Sequence, residues 1–353
     1  MRGLNVVDLT SRQQEIINII TAQDSAPISA IKELLNEEVS IPTLNRELAS
    51  LVAGNILSKT GLGRATSYNI SNSYKVFMPL EIENYFDLEP DTRQAQEQFN
   101  QEIIALLGSV ELFTSAEKEH LDMLKQEYQH NISDYPEALY QKELERLTIE
   151  LSWKSSQIEG NTYSLLETER LFKEKEEAQG KPKDDATMLL NHKDALDYLL
   201  EHKGISGDIN LRLLEEIHSI LIKNLGVGRN IRSRTVGITG TAYKPLDNEF
   251  QIKEAMEDMC AIINAKGNGF EKALIAVTLI SYIQPFEDGN KRTGRMISNA
   301  LLIAEGICPL SYRSVDSIEY KKAMLLFYEQ NNLSAFKKIF FEQIEFSVKN
   351  YFR

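Results

Sequence analysis

Gln284-Pro285-Phe286-Glu287-Asp288-Gly289-Asn290-Lys291-Arg292-Thr293-Gly294-Arg295 is the stretch on which the reading of this chain turns. It lies between two apolar helical segments. Upstream, residues 270–283 are apolar on nearly every side, the pattern of a buried helix. Downstream, Met296, Ala300 and Ile303 recur at i, i+4 and i+7, and Gly306 supplies a C-terminal stop. The stretch itself holds a helix breaker (Pro285), a carboxylate, a Gly-Asn pair and two arginines three apart. A loop that feeds a helix start aims backbone N–H groups and a positive dipole end at an anion. Arg292 and Arg295 would add planar, bidentate donors on one face of that helix. Asp288 is suited to a hard divalent cation, the usual companion of nucleotide phosphates. The residues therefore read as a polyphosphate cradle. The plainer alternative is a structural turn with surface arginines.

The chain has 353 residues, 42% of them hydrophobic and 26% charged, room for two or three domains and one sizeable core. It shows no apolar run of about 18 residues and no N-terminal signal pattern, so the expectation is a cytoplasmic protein without a membrane partner. Cys260 and Cys308 sit in apolar surroundings without metal spacing and read as reduced core thiols. The five histidines (His120, His130, His192, His202, His218) are scattered, which argues against a zinc site. The net charge of −13 disfavours non-specific nucleic-acid binding by the whole molecule, though not by one module.

The first seventy or so residues have their own pattern. Ser11 is placed to cap a helix to about Ala22, with Ile16, Ile17, Ile19 and Ile20 on its apolar side. A short helix over residues 28–36 follows, with Ile31, Leu34 and Leu35 inward. Ser40 and Pro42 open a third helix that buries Leu44, Leu48, Leu51 and Val52 and ends at Gly54-Asn55. Residues 56–70 then fit two short strands around a Gly-x-Gly turn. Three helices and a hairpin resemble a winged helix-turn-helix, with Lys59 and Arg64 on the wing. Within residues 1–75 seven cations (Arg2, Arg12, Lys32, Arg46, Lys59, Arg64, Lys75) meet seven acids (Asp8, Glu15, Asp24, Glu33, Glu37, Glu38, Glu47). Only Arg46 is basic on the third helix, a thin footprint for a DNA reader. DNA binding and docking of a protein or a second copy of the chain both stay open.

After a connector punctuated by Pro79 and Pro90, the chain reads as helical near 93–108, 115–130, 136–159, 164–179, 184–203, 208–224, 251–266, 270–284, 290–305, 316–331 and 333–351. One interval breaks this pattern. The β-formers Thr235, Val236, Ile238, Thr239 and Tyr243 around Gly240-Thr241 predict a short hairpin. In the helix before Gly160, Leu144, Leu147, Leu151 and Ile158 form a packing stripe, while Ser155 and Glu159 share another face. A Glu at a helix C-terminus opposes the macrodipole unless a cation meets it. It is either solvent-facing or paired with an arginine from elsewhere.

With these pieces in order, residues 284–295 resemble the signature loop of Fic (Fido) domain proteins, His-x-Phe-x-(Asp/Glu)-Gly-Asn-Gly-Arg-x-x-Arg. Ser155-x-x-x-Glu159-Gly160 resembles the family's inhibitory-helix motif, (Ser/Thr)-x-x-x-Glu-(Gly/Asn). Residues 234–245, with Val236, Gly237, Ile238, Thr239 and Gly240, look like the flap that aligns a target segment by strand addition. The resemblance covers roughly residues 74–353. It implies a mainly α fold: an all-helical Fic core with a β-hairpin flap, plus the N-terminal winged helix-turn-helix. The implied domains are 1–73, a connector and helical part over 74–135, and a Fic core over 136–353 with its inhibitory helix at 136–160.

The resemblance also implies transfer of AMP from ATP, with Mg²⁺, to a hydroxyl of a target protein. Asp288 would hold Mg²⁺; Gly289, Asn290 and Lys291 would line the phosphate seat. Arg292 would take the β-phosphate, and Arg295 the γ-phosphate or, in the inhibited state, Glu159. Two positions depart from the pattern. Gln284 stands where the family has its catalytic His, and an amide cannot take a proton near pH 7. His218, nearest by sequence, reads as structural. Lys291 replaces the usual Gly, which resembles the phosphate-transferring Doc branch. Three readings follow: a nucleotidyl- or phosphotransferase restrained by Glu159, a nucleotide-sensing regulator coupled to the winged helix, or removal of AMP with Glu159 as base.

Overall fold

The computed structural model describes residues 9–202 and 207–353. Arg2, Asp8, the Lys203 end of the helix expected over 184–203, and the Arg64 side chain lie outside the described residues. The chain forms two compact units, Met1–Leu80 and Glu81–Arg353.

In the first unit, helices α1 (Ser11–Gln23), α2 (Ile28–Leu34) and α3 (Ile41–Ala53) enclose Ile16, Ile17, Ile20, Ile31, Leu44, Leu48 and Leu51. Three short strands, β1 (Ala26–Pro27), β2 (Leu57–Thr60) and β3 (Ser67–Ile70), form an antiparallel sheet in the order β1-β3-β2. Thr10, not Ser11, caps α1, through a capping box with Gln13. Ser40 caps α3 as expected. Leu34 points outward, and Leu35 and Ile31 fill the core. The unit extends past residue 73 because α4 (Asn72–Phe77) buries Val76 and packs Tyr74 on the same cluster.

The second unit is helical: α5 (Ile82–Phe86), α6 (Glu102–Ser109), α7 (Ser115–Ser133), α8 (Glu137–Ile158), α9 (Leu165–Glu174), α10 (Lys183–Glu201), α11 (Leu211–Leu221), α12 (Glu249–Ala265), α13 (Gly269–Ile283), α14 (Asn290–Ala304), α15 (Ser317–Gln330) and α16 (Ser334–Asn350). Nearly all of α13 is buried, so this all-round apolar helix is the centre of the core. It packs against α12, α14 and α15. Gly294 lets α14 lie close to α13: a Cβ there would fall 3.1 Å from the Val277 carbonyl oxygen and 3.3 Å from Ser281 Oγ.

Two expected elements take another form. The helix expected from residue 93 starts at Glu102. The residues before it run along their neighbours, with Gln96 N donating to the Glu329 carbonyl (2.8 Å) and Lys244 N to the Glu97 carbonyl (2.7 Å). The hairpin expected over 234–245 is absent; the segment holds a single isolated bridge, Gln98 to Lys244. Gly237 and Gly240 interrupt its β-formers, and two of its carbonyls accept from side chains. Arg232 donates to the Arg234 carbonyl (2.7 Å) and Arg93 to the Gly240 carbonyl (3.0 Å).

Candidate functional site

The loop that links α13 to α14 is held by its own side chains. Asn290 accepts from Phe286 N (2.8 Å) through Oδ1, and its Nδ2 donates to the Phe286 carbonyl (2.8 Å) and to Gln284 Oε1 (2.9 Å). Gln284 ends α13 in a left-handed conformation (φ 53°), which is unfavourable for a residue with a side chain. Buried Arg232 offsets that cost, donating through Nε to the Gln284 carbonyl (2.7 Å), while its backbone N–H donates to the Pro285 carbonyl (2.9 Å). Its Nη2 also reaches the Leu246 carbonyl, so one guanidinium ties the loop to the 232–246 segment. Phe286 is fully buried and stacks on His218, with ring centroids 3.6 Å apart. His218 Nε2 donates to the Asp288 carbonyl (2.9 Å), a structural role. Burial pushes His218 below its ordinary pKa, so the ring is neutral near pH 7.

Gly289 then turns the chain into α14 at φ 82°, and a Cβ there would lie 3.2 Å from Ile222 Cγ2. No side chain caps α14, and its first turn carries no acid. Its leading N–H groups thus lack intrahelical partners, and the positive dipole end is uncompensated.

These groups face a cavity of about 380 Å³, a size typical of small-ligand sites. Asn290, Lys291 and Arg292 lie at its floor with Gln284, Asp288 and Gly289. Val236, Gly237, Ile238 and Thr239 form one wall, and Tyr320, Met324 and Tyr328 of α15 form another. Ile158 and Glu159 close the end. Gly240 is outside the lining. The segment expected as a flap thus borders the cavity without being a hairpin. The α15 residues were not legible as site residues, because Tyr320, Met324 and Tyr328 at i, i+4 and i+8 carry only a core-packing signal.

Arg292 is buried, donating to Asp288 Oδ2 (3.2 Å) and to the Leu221 carbonyl at the end of α11 (3.3 Å). The Asp288 side chain is 64% exposed at the rim. Arg295 is completely buried and absent from the cavity lining, because Glu159 covers it. Its Nε donates to Ser155 Oγ (2.8 Å), and its Nη2 to the Ser155 carbonyl and to Glu159 Oε1 (both 2.9 Å). Tyr320 sits beside it, with the ring centroid 5.3 Å from Cζ. The second Glu159 oxygen, Oε2, lies 3.5 Å from Lys291 Nζ. Burial pushes the Glu159 carboxyl up, but Arg295 and Lys291 outweigh it and hold the group below its ordinary range. Glu159 is thus the paired form of the two readings of this helix end. Gly160 follows at φ 101°, just past the end of α8 and next to Glu159.

Ser155 has a second partner, His192 of α10, whose Nε2 lies 2.7 Å from Ser155 Oγ. Neither His192 nor Arg232 stood out in the sequence. One is a histidine among the apolar residues of a helix; the other is an arginine in a loop. Among the described residues no group of three or more His, Cys, Asp or Glu is placed to hold a metal. A cation here would rest on Asp288 and on the ligand's own oxygens.

The Fic/DOC family model matches residues 208–302. That span holds the loop, Arg232 and the cavity wall at 236–239, and stops short of α8 and α10. Protein adenylyltransferase fic-1 of Caenorhabditis elegans is 26% identical over 204 residues, 55% of this chain and 39% of that protein. Protein adenylyltransferase Fic of Aedes aegypti is 29% identical over 199 residues, 54% of this chain and 39% of that protein. The chain thus spans about two fifths of the length of these curated relatives. The solved structure of Fic-1 from C. elegans has a TM-score of 0.57 at 19% identity, covering 71% of this chain and 80% of that one, a likeness of fold. No helix among the described residues is long and apolar enough to cross a membrane.

Proposed function

We propose that this chain, whose residues 208–302 match the Fic/DOC family, binds ATP at the start of α14 and transfers AMP to a hydroxyl of a target protein, under restraint by Glu159. The observation that carries this reading is the Glu159 carboxylate. It occupies Arg295 at the end of a cavity floored by an uncapped helix N-terminus. A carboxylate held by two cations occupies the place an anionic ligand would take. A triphosphate laid along α14 would meet the free N–H groups first, then Arg292, then Arg295 once Glu159 has moved. Asp288 fits Mg²⁺, which binds through one or two carboxylates plus substrate phosphates. The ion would neutralise phosphate charge. The wall at 236–239 would offer backbone to a target segment.

In AMP transfer the target hydroxyl oxygen bonds to the α-phosphorus, the bond to the β-phosphate oxygen breaks, and pyrophosphate leaves. The hydroxyl proton needs an acceptor. Gln284 is at the right end of the loop, yet its Nε2 donates to the Ser281 carbonyl (2.6 Å) and its Oε1 is taken by Asn290. It is a spacer of fixed orientation and not a base. That observation supports a second reading, a slow or inactive nucleotide sensor. A phosphotransferase of the Doc kind would meet the same lack of a base.

Incubation with ATP labelled separately at the α and γ positions, with Mg²⁺ and mass detection of adducts, separates the readings. A slow AMP adduct from the α label supports adenylyl transfer, and binding without an adduct supports the sensor. A γ-labelled adduct points to phosphate transfer. Absence of nucleotide binding in Glu159→Gly would sink all three. The buried free thiols Cys260 and Cys308 support a cytoplasmic setting. For residues 1–73, with Arg46 and Lys59 exposed, a gel-shift series across salt tests DNA against protein docking. Sedimentation tests self-association.

A further inference from the structure

Arg295 is a donor only, so the 2.8 Å contact from its Nε fixes Ser155 Oγ as an acceptor. Ser155 has one hydroxyl proton left to give, and His192 Nε2 lies 2.7 Å away. With Nε2 as the unprotonated nitrogen of a neutral ring, His192 accepts that proton, and Nδ1 then carries the ring proton without a partner of its own among the described residues. His192 and Ser155 are both fully buried. Burial, reinforced by Arg295 and Arg292, holds the His192 pKa well below its ordinary value, so the ring is neutral.

Arg295 thus has two kinds of hold. Glu159 takes one Nη2 bond and shares its charge with Lys291 at a partly exposed position. Ser155 takes the Nε bond and another Nη2 bond from inside the core. The Nη1 nitrogen finds no acceptor among the described residues. When Glu159 swings away, the Ser155 hold stays, and Nη1 and the freed Nη2 hydrogen form a ready anion-binding edge.

We propose that His192 is a positioning residue for nucleotide binding: by accepting the Ser155 hydroxyl proton it keeps Ser155 turned toward Arg295, so that Arg295 stays docked on α8 after Glu159 leaves. The inference rests on the nucleotide reading above and adds a residue outside the span that the family model matches. Without an acceptor at position 192, the Ser155 hydroxyl would turn to donate elsewhere. Arg295 would then lose its fixed direction toward the outer phosphates. The α-phosphate seat, built from the α14 N–H groups, would be untouched.

The test is calorimetric titration of the full chain, in a Glu159→Gly background, with ATP and with AMP in Mg²⁺. His192→Leu removes the acceptor; His192→Gln supplies an amide oxygen in its place. The expected result is ATP affinity about tenfold weaker in His192→Leu, the size of one hydrogen bond to a charged group. AMP affinity should change less than about twofold, and His192→Gln should recover most of the loss. Equal weakening of ATP and AMP, or unchanged ATP affinity, overturns the proposal. Should His192→Leu fail to fold, His192→Phe in the same background carries the same test, since it too removes the acceptor while leaving Ser155 in place. A Glu159→Gly parent that binds neither nucleotide overturns the nucleotide reading itself. A parent that binds ATP, with no change in His192→Leu, overturns only the role of His192.

Discussion

The two ends of the 284–295 loop are built differently. At the first end, the Gln284 side chain is satisfied by near neighbours: the Ser281 carbonyl three residues back and Asn290 six residues on. At the other end, Arg295 is satisfied from across the chain, by Ser155 and Glu159, 140 and 136 residues earlier. A group held by its own loop is fixed for good, because releasing it undoes the loop. A group held by a separate helix end is released when that end moves. On the proposed reading the binding end of the site is the switchable one, while the end at which a hydroxyl proton would leave is static and carries an amide.

The largest expected effect restores a base to the static end. Gln284→His in a Glu159→Gly background should raise self-labelling by α-labelled ATP by roughly 10²–10⁴-fold, the usual contribution of a general base. An unchanged rate, read from label incorporation over time, would show that the two ends do not divide binding from chemistry.

Next is the switchable end. Glu159→Gly should tighten ATP binding by roughly 10–100-fold, since ATP no longer displaces a charge-assisted hydrogen bond. Calorimetry checks this, and equal affinities would break the contrast. The effect should also be flat from pH 8 to 5. Arg295 and Lys291 hold the Glu159 carboxyl below its ordinary range against its burial. A depressed folded pKa means the latch is fully charged above the unfolded value of about 4.3 and is lost only as pH falls through its lower folded value. A parent whose ATP affinity climbs between pH 7 and 5 would contradict that sign.

The smallest effect separates the two cations on Glu159. The Lys291 pair is 3.5 Å long and its side chain is 26% exposed, whereas Arg295 is wholly buried. A double-mutant cycle of Lys291→Gln with Glu159→Gln, followed by urea unfolding, should give a coupling below about 1 kcal/mol. A larger value would make Lys291 an equal partner in the latch.

Much of the site was legible because its chemistry is local. Asp288, Gly289, Asn290, Lys291 and Arg292 are contiguous, and a loop ahead of a helix start brings contiguous residues to one mouth. The apolar run before Gln284 announced a central helix, and α13 is one. The packing stripe ending at Ile158 placed Glu159 at a helix end, where the macrodipole demands a cation. Residues 234–245 were misread for a reason equally local: β-propensity reports what fits a pleated surface, not whether a partner strand exists. Here no partner strand forms, and guanidinia from Arg93 and Arg232 hold the Gly240 and Arg234 carbonyls.

The sequence by itself determined a Gly-Asn loop between two helices, an amide at its head, and a glutamate at a helix end in want of a cation. Those follow from residue type and spacing over a few turns. The resemblance had already named Arg295 as that cation; tertiary structure alone decided that Lys291 is a second, that Arg232 holds Gln284 in its left-handed turn, and that His192 stands behind Ser155. These are meetings of residues many turns apart in the chain. The core chooses them when α8, α10 and α14 pack together, and no local pattern encodes which side chains will face each other there.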